Sequence, residues 1–303
     1  MFGLNFKKEK KDILKRPPGR SRISIFFELF FRKIWGLCKV NLLYILAMIP
    51  TFIITMFAVG ILSSRITEFI APMLAEGMGL STINMANEEF ALTIIVFDII
   101  VRFVLSILFV VFLGMGPVTA GITYILRNYA REEHTWLLSD LWRHAKSNFV
   151  QALLLWVLDM VVFFALVVAF DFYSSLDGAA FYLVYVLIFV AIMYLMMHLY
   201  VYQVMVTFKL SFKDVLKNAM FMALQTVPQN LLMIAILAFI HIAIPYFGIT
   251  TGSMTTAFPI FLLIEALFLV ATSGFMTNFF IYPTVEKYIR QAERVDQDDV
   301  CSL

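Results

Sequence analysis

Residues 149–170 read FVQALLLWVLDMVVFFALVVAF, an apolar run broken by a single charge, Asp159. A hydrocarbon core about 30 Å thick is crossed by roughly 20 helical residues. A lone strand in lipid would leave its backbone groups unpaired, so a run of this kind is a helix. Five more windows share its character: residues 40–62, 90–113, 180–208, 231–249 and 257–281. The window 180–208 is long enough to tilt or to project from the bilayer. No alternating segments of about ten residues, the mark of a membrane barrel, occur. The expected fold class is all-α: a polytopic membrane protein with six transmembrane helices in three hairpins.

Composition agrees. Of 303 residues, 62% are hydrophobic and 15% charged, and the mean hydropathy is +0.89. Soluble domains run nearer 45–50% apolar and about 25% charged. A chain this apolar would expose aggregating patches in water, which excludes a soluble enzyme and a nucleic-acid-binding domain. The bilayer is its first partner.

The basic residues set the orientation, because short cytoplasmic loops retain Lys and Arg. Eleven precede the first span, from Lys7 to Lys39. The next segment carries Arg65 alone against Glu68, Glu76, Glu88 and Glu89. Arg127, Arg131, Arg143 and Lys146 follow the second span, then Lys209, Lys213 and Lys217 the fourth, then Lys287, Arg290 and Arg294 the sixth. Both termini are therefore expected in the cytoplasm. The organisation reads as a basic arm (1–25), a six-span domain (26–285) with an extracellular insert (63–89), and a cytoplasmic tail (286–303). No cleavable signal peptide is read in the arm, which lacks a short apolar core.

Each span that starts inside follows an amphipathic stretch and has an Asn near its start. The stretches are residues 26–39 before Asn41, 135–147 before Asn148 and 211–226 before Asn230. Such segments suit helices lying on the cytoplasmic face. The second presents Arg143 and Lys146 as candidate docking residues. The repeat fits a transporter or a passive scaffold equally.

After the second span comes Gly114-Met-Gly116-Pro117-Val-Thr119-Ala120-Gly121, then Ile-Thr-Tyr-Ile-Leu-Arg127. Proline removes a backbone donor and restricts the residue before it, and the small residues allow close helix approach. A helix break and packing notch is expected, and Pro50 and Pro245 are read as kinks. This segment resembles the YesL-like bacterial integral membrane proteins. Residues 27–43 and the Asp140-Leu-Trp-Arg-His-Ala-Lys-Ser-Asn-Phe149 segment are similar to the same family. The resemblance implies a bacterial plasma-membrane protein of no established activity, often associated with carbohydrate-uptake gene clusters.

The chemistry lies in ionisable residues within the spans: Asp98, Arg102, Asp159, His241 and Glu265. A charge at mid-bilayer costs at least about 2.5–3.5 kcal/mol on insertion scales. Asp98 and Arg102 are four apart and share a helix face, so they can pair. The set carries a surplus of two negative charges, to be offset by protonation or a bound cation. It is a candidate ion or proton site, or else a polar cluster that fixes helix register. His198 is read as structural.

No phosphate loop, HExxH or CxxC occurs, and Cys38 and Cys301 fall on the expected cytosolic side, where disulfides are rare. No cofactor, metal or catalytic residue is expected. Three functions compete, one of them a scaffold or lipid-organising protein with no substrate. The resemblance implies a non-catalytic accessory or regulatory component linked to carbohydrate uptake, with a carbohydrate ABC importer as partner and homo-oligomerisation open. The buried acids imply a proton- or cation-coupled small-solute transporter.

Overall fold

The computed structural model describes residues 5–6, 20–77, 88–113, 115–243, 260–261 and 263–301. Gly114, Pro245, most of the basic arm and the turn between the last two expected spans lie outside the described residues. The helices are α1 (Arg22–Gly77), α2 (Glu88–Leu113), α3 (Gly116–Ala130), α4 (Leu137–Ser147), α5 (Phe149–Ser174), α6 (Leu183–Thr207), α7 (Phe212–Gln225), α8 (Val227–Ala238) and α9 (Val270–Cys301). A short 3₁₀ turn, Gly178–Tyr182, leads into α6. Two π-turns complete the set, Phe239–Ala243 after α8 and Glu265–Leu269 before α9. Asn5–Phe6 (β1) pairs antiparallel with Phe208–Lys209 (β2), two residues from each strand.

Five described helical segments are long and apolar enough to cross a membrane, and a sixth is counted if α7 and the α8 segment form one bent span. Leu46, Ile53 and Phe57 of α1, Leu92 and Ile95 of α2, and Val150, Val157 and Val161 of α5 are all exposed. Surfaces of that extent and composition require hydrocarbon around them. The chain is a membrane-embedded helical protein.

The interior has a different character. Every residue of α6 from 196 to 207 is buried, and so is every residue of α3 from 119 to 129. Helices α1, α4, α7 and α9 close around them, α4 folding back on α3 and α7 on α6. At the α3–α4 contact, a Cβ on Gly121 would meet the Leu141 carbonyl oxygen at 2.5 Å. Only glycine allows the two backbones to touch there.

The three amphipathic stretches behave differently from one another. Residues 26–39 do not form a separate helix. They run on into the first span as one α1 of 56 residues, about 84 Å long at 1.5 Å per residue. Nothing beyond Lys39 stops the helix, since no proline or glycine follows at once. The other two stretches do break. Asn148 ends α4 and its side-chain amide donates to the His144 carbonyl at 2.8 Å. Between α7 and α8 the axis turns by 95° at Thr226, where Pro228 opens the new helix. Asn230 spans that elbow, donating to the Ala223 carbonyl at 2.8 Å and accepting from Tyr200 Oη at 2.9 Å. Asn148 and Asn230 thus serve backbone breaks.

Pro283 lies inside α9 and leaves carbonyls one turn earlier without their amide. Arg22 donates to the Phe279 and Phe280 carbonyls at 3.2 and 3.3 Å, and Gln229 Nε2 donates to the Phe280 carbonyl at 2.7 Å. Those bonds tie α1 and α8 to α9.

Candidate functional site: two carboxylate–histidine pairs at a polar cavity

The expected set of five ionisable residues does not form one cluster. It separates into three pairs, one of which recruits a residue read as structural from the sequence.

Asp159 is wholly buried at the middle of α5. Tyr194 Oη donates to its Oδ1 at 2.6 Å, and His198 Nε2 lies 3.1 Å from its Oδ2. Both partners sit on α6, four residues apart and hence on one face. Tyr202, four residues further, packs edge-on against His198 with ring centroids 5.6 Å apart. His198 is thus the partner of the buried acid.

His241 and Glu265 form the second pair, with Nδ1 3.0 Å from Oε1 and both side chains buried. On its other side, His241 Nε2 is 2.9 Å from Ser273 Oγ on α9. Each member sits on a π-turn, an irregularity that recurs at functional sites because it re-aims a side chain. Asn41 of α1 supports the second π-turn, donating to the Glu265 carbonyl at 2.9 Å and accepting from the Ala271 amide at 2.6 Å.

Asp98 and Arg102 pair along α2 as their spacing requires, Oδ2 to Nε at 2.7 Å. Their side chains are 18% and 38% exposed. Thr67 of α1 donates to Asp98 at 3.3 Å, and the Arg102 guanidinium rests against Gly60. Nearby on α1, Arg65 bonds Asp171 at 2.7 Å. This half-exposed pair belongs with the charges at that end of α1.

A carboxylate and an imidazole with one shared proton are neutral as a pair, whichever of the two holds it. Losing that proton would leave a bare buried anion, which is costly. Each of the two buried pairs is thus chemically able to hold and pass on a proton. The first pair reaches a cavity of about 80 Å³ through His198, and the second lies behind its wall. His198 lines it from α6 and Ser273, bonded to His241, lines it from α9, with Tyr44, Thr119, Gln203 and Asn278 among the rest of the wall. Small-molecule pockets usually run to about 300–1,000 Å³, so this space suits water or a very small solute.

Helix α3 opens after the end of α2 at Met115–Gly116. Gly116 has φ +31°, where a Cβ would also meet the Ala152 carbonyl oxygen at 2.9 Å. Pro117 stands in the first turn of α3. Thr119 Oγ1 accepts from the Met115 amide at 2.6 Å and from Tyr44 Oη at 3.3 Å. The break thereby puts Thr119 on the cavity wall.

Three features were not anticipated from the sequence: His198 as a partner, the two π-turns, and the buried Arg127. Arg127 donates to Thr207 Oγ1 at 3.0 Å and lies 4.8 Å above the Tyr124 ring. Burial pushes its guanidinium below its usual value. On α4, Arg143 pairs with Asp140 at 3.0 Å and Lys146 lies over the Trp142 ring at 5.2 Å, beside exposed Trp136 and Leu138. Among the described residues, no group of three or more His, Cys, Asp or Glu side chains is placed to hold a metal ion.

No curated protein and no solved structure matches the chain. A family model described as "Protein of unknown function, DUF624" matches residues 93–170, which run from the first turns of α2, through the Gly116–Pro117 break, to Asp159 and beyond on α5.

Proposed function

We propose that this membrane protein carries protons through its helical domain, coupled to the movement of a small solute or cation. The observation behind this reading is that one cavity is lined by His198, partner of Asp159, and by Ser273, whose Oγ is 2.9 Å from the His241 of the Glu265–His241 pair. Ionisable groups inside a membrane domain mark ion or proton pathways more often than they serve packing. The distribution of basic residues supports cytoplasmic termini, and the resemblance supports a bacterial plasma membrane as the setting. The test is proton flux into vesicles holding the purified protein and an entrapped pH dye. Asp159→Asn and Glu265→Gln should each abolish the flux in folded protein.

A second reading is an accessory of a carbohydrate ABC importer. Its structural support is the exposed face of α4, where Trp136, Trp142, Arg143 and Lys146 are available to a partner. Co-purification from the native membrane tests it. Importer subunits in stoichiometric amount, lost on Arg143→Glu, would favour this reading.

A further inference from the structure

Gln203 stands on the cavity wall at 2% exposure, and neither its Oε1 nor its Nε2 has a hydrogen-bond partner among the described residues. Asn278, across from it on α9, uses its Nδ2 on the Gly274 carbonyl at 2.7 Å, while its Oδ1 has no partner among them. Leaving a buried donor or acceptor without a partner costs its desolvation in full. A native site avoids this by offering the groups to a ligand or to ordered water. Gln203 demands both a donor and an acceptor from its occupant, and Asn278 demands a donor. A bare cation offers no acceptor to Gln203 Nε2. A hydrocarbon offers nothing. Water offers both, and a space of about 80 Å³ exceeds the 10–15 Å³ that one water needs.

We infer that the cavity binds a short file of waters, held by Gln203 and Asn278, which joins the Asp159–His198 pair to Ser273 and through it to the His241–Glu265 pair. This inference rests on the proton-carrying reading above and supplies its path. A proton leaving the first pair forms an O–H bond on the nearest water as its own bond to the pair breaks. Each water in turn passes one proton on. Ser273 Oγ receives the last and gives its own to His241 Nε2, 2.9 Å away. The imidazolium so formed passes a proton on from its Nδ1 to Glu265, 3.0 Å away. Glu265 releases it on the far side while a proton from the opposite side reloads the first pair, so neither pair stays charged. One bond forms for each that breaks, and no oxidant or co-reactant is consumed.

The vesicle flux assay separates the path from the reading it rests on. Gln203→Leu and Asn278→Leu remove the water ligands and leave both pairs in place. Flux should fall at least tenfold in the double variant. Unchanged flux there, with flux lost in Asp159→Asn and Glu265→Gln, would overturn the water file and spare the reading. Flux unchanged in all three variants would overturn both. A measurement on the unaltered protein covers the case where the double variant does not fold: brief radiolytic hydroxyl labelling, which marks buried side chains in contact with bound water. Tyr202 and His198 should be labelled although both are buried. Absence of label on both would contradict the file.

Discussion

Asn41 of α1 bridges the backbone of the residue it supports, its Nδ2 on the Glu265 carbonyl and its Oδ1 under the Ala271 amide. A π-turn offsets the helical ladder and leaves such groups without their usual partners. One side-chain amide, wholly buried, satisfies both. The position of Glu265 is therefore set from a helix more than two hundred residues away in the chain.

Asn41→Leu would strip both bonds from a buried backbone, at a cost of about 1–3 kcal/mol. The expected outcome is a lower midpoint of denaturant unfolding in detergent. Asn41→Asp should lose less than Leu, since it retains the acceptor for the Ala271 amide. Equal midpoints for all three proteins would contradict this role.

The Gly121–Leu141 contact predicts a sharp contrast between two glycines. At Gly121 an added Cβ meets a backbone oxygen at 2.5 Å, whereas at Gly274 it meets only the tip of Leu126 at 2.8 Å. Overpacking costs roughly 1–3 kcal/mol where the neighbour cannot move. Gly121→Ala should lower the thermal midpoint well below that of Gly274→Ala. The reverse order would show that α3 and α4 do not meet as described.

Asp98 and Arg102 should behave as a coupled unit apart from the buried pairs. Removing Asp98 alone leaves a guanidinium at membrane depth without its counterion. Asp98→Asn should therefore cost more stability than the double change Asp98→Asn with Arg102→Gln. A double-mutant cycle should return a coupling of about 0.5–3 kcal/mol. A coupling of zero would contradict the pair.

Legibility from sequence followed the range of the interaction. The long apolar helices were legible because a 20-residue apolar run has one physical solution in lipid. The Asp98–Arg102 bond was legible because both ends lie on one helix. Asp159 and His198 are 39 residues apart on different helices, and nothing local joins them. One signal was there to be read: Tyr194, His198 and Tyr202 recur every four residues, a polar stripe on an apolar helix. The π-turns had no local signal, since Asn41 supports one of them from another helix. The stretch 26–39 does not form a helix of its own, because an amphipathic stretch is set apart only where proline or a cap interrupts the helix. At Pro228 and Asn148 that condition is met.

The most direct test of the account is proton flux in vesicles for three carboxylate variants side by side: Asp159→Asn, Glu265→Gln and Asp98→Asn, each first shown to be folded. The account predicts flux lost in the first two, whose acids border the cavity through His198 and Ser273, and kept in the third, whose acid faces α1. Flux kept in Asp159→Asn and Glu265→Gln would contradict it.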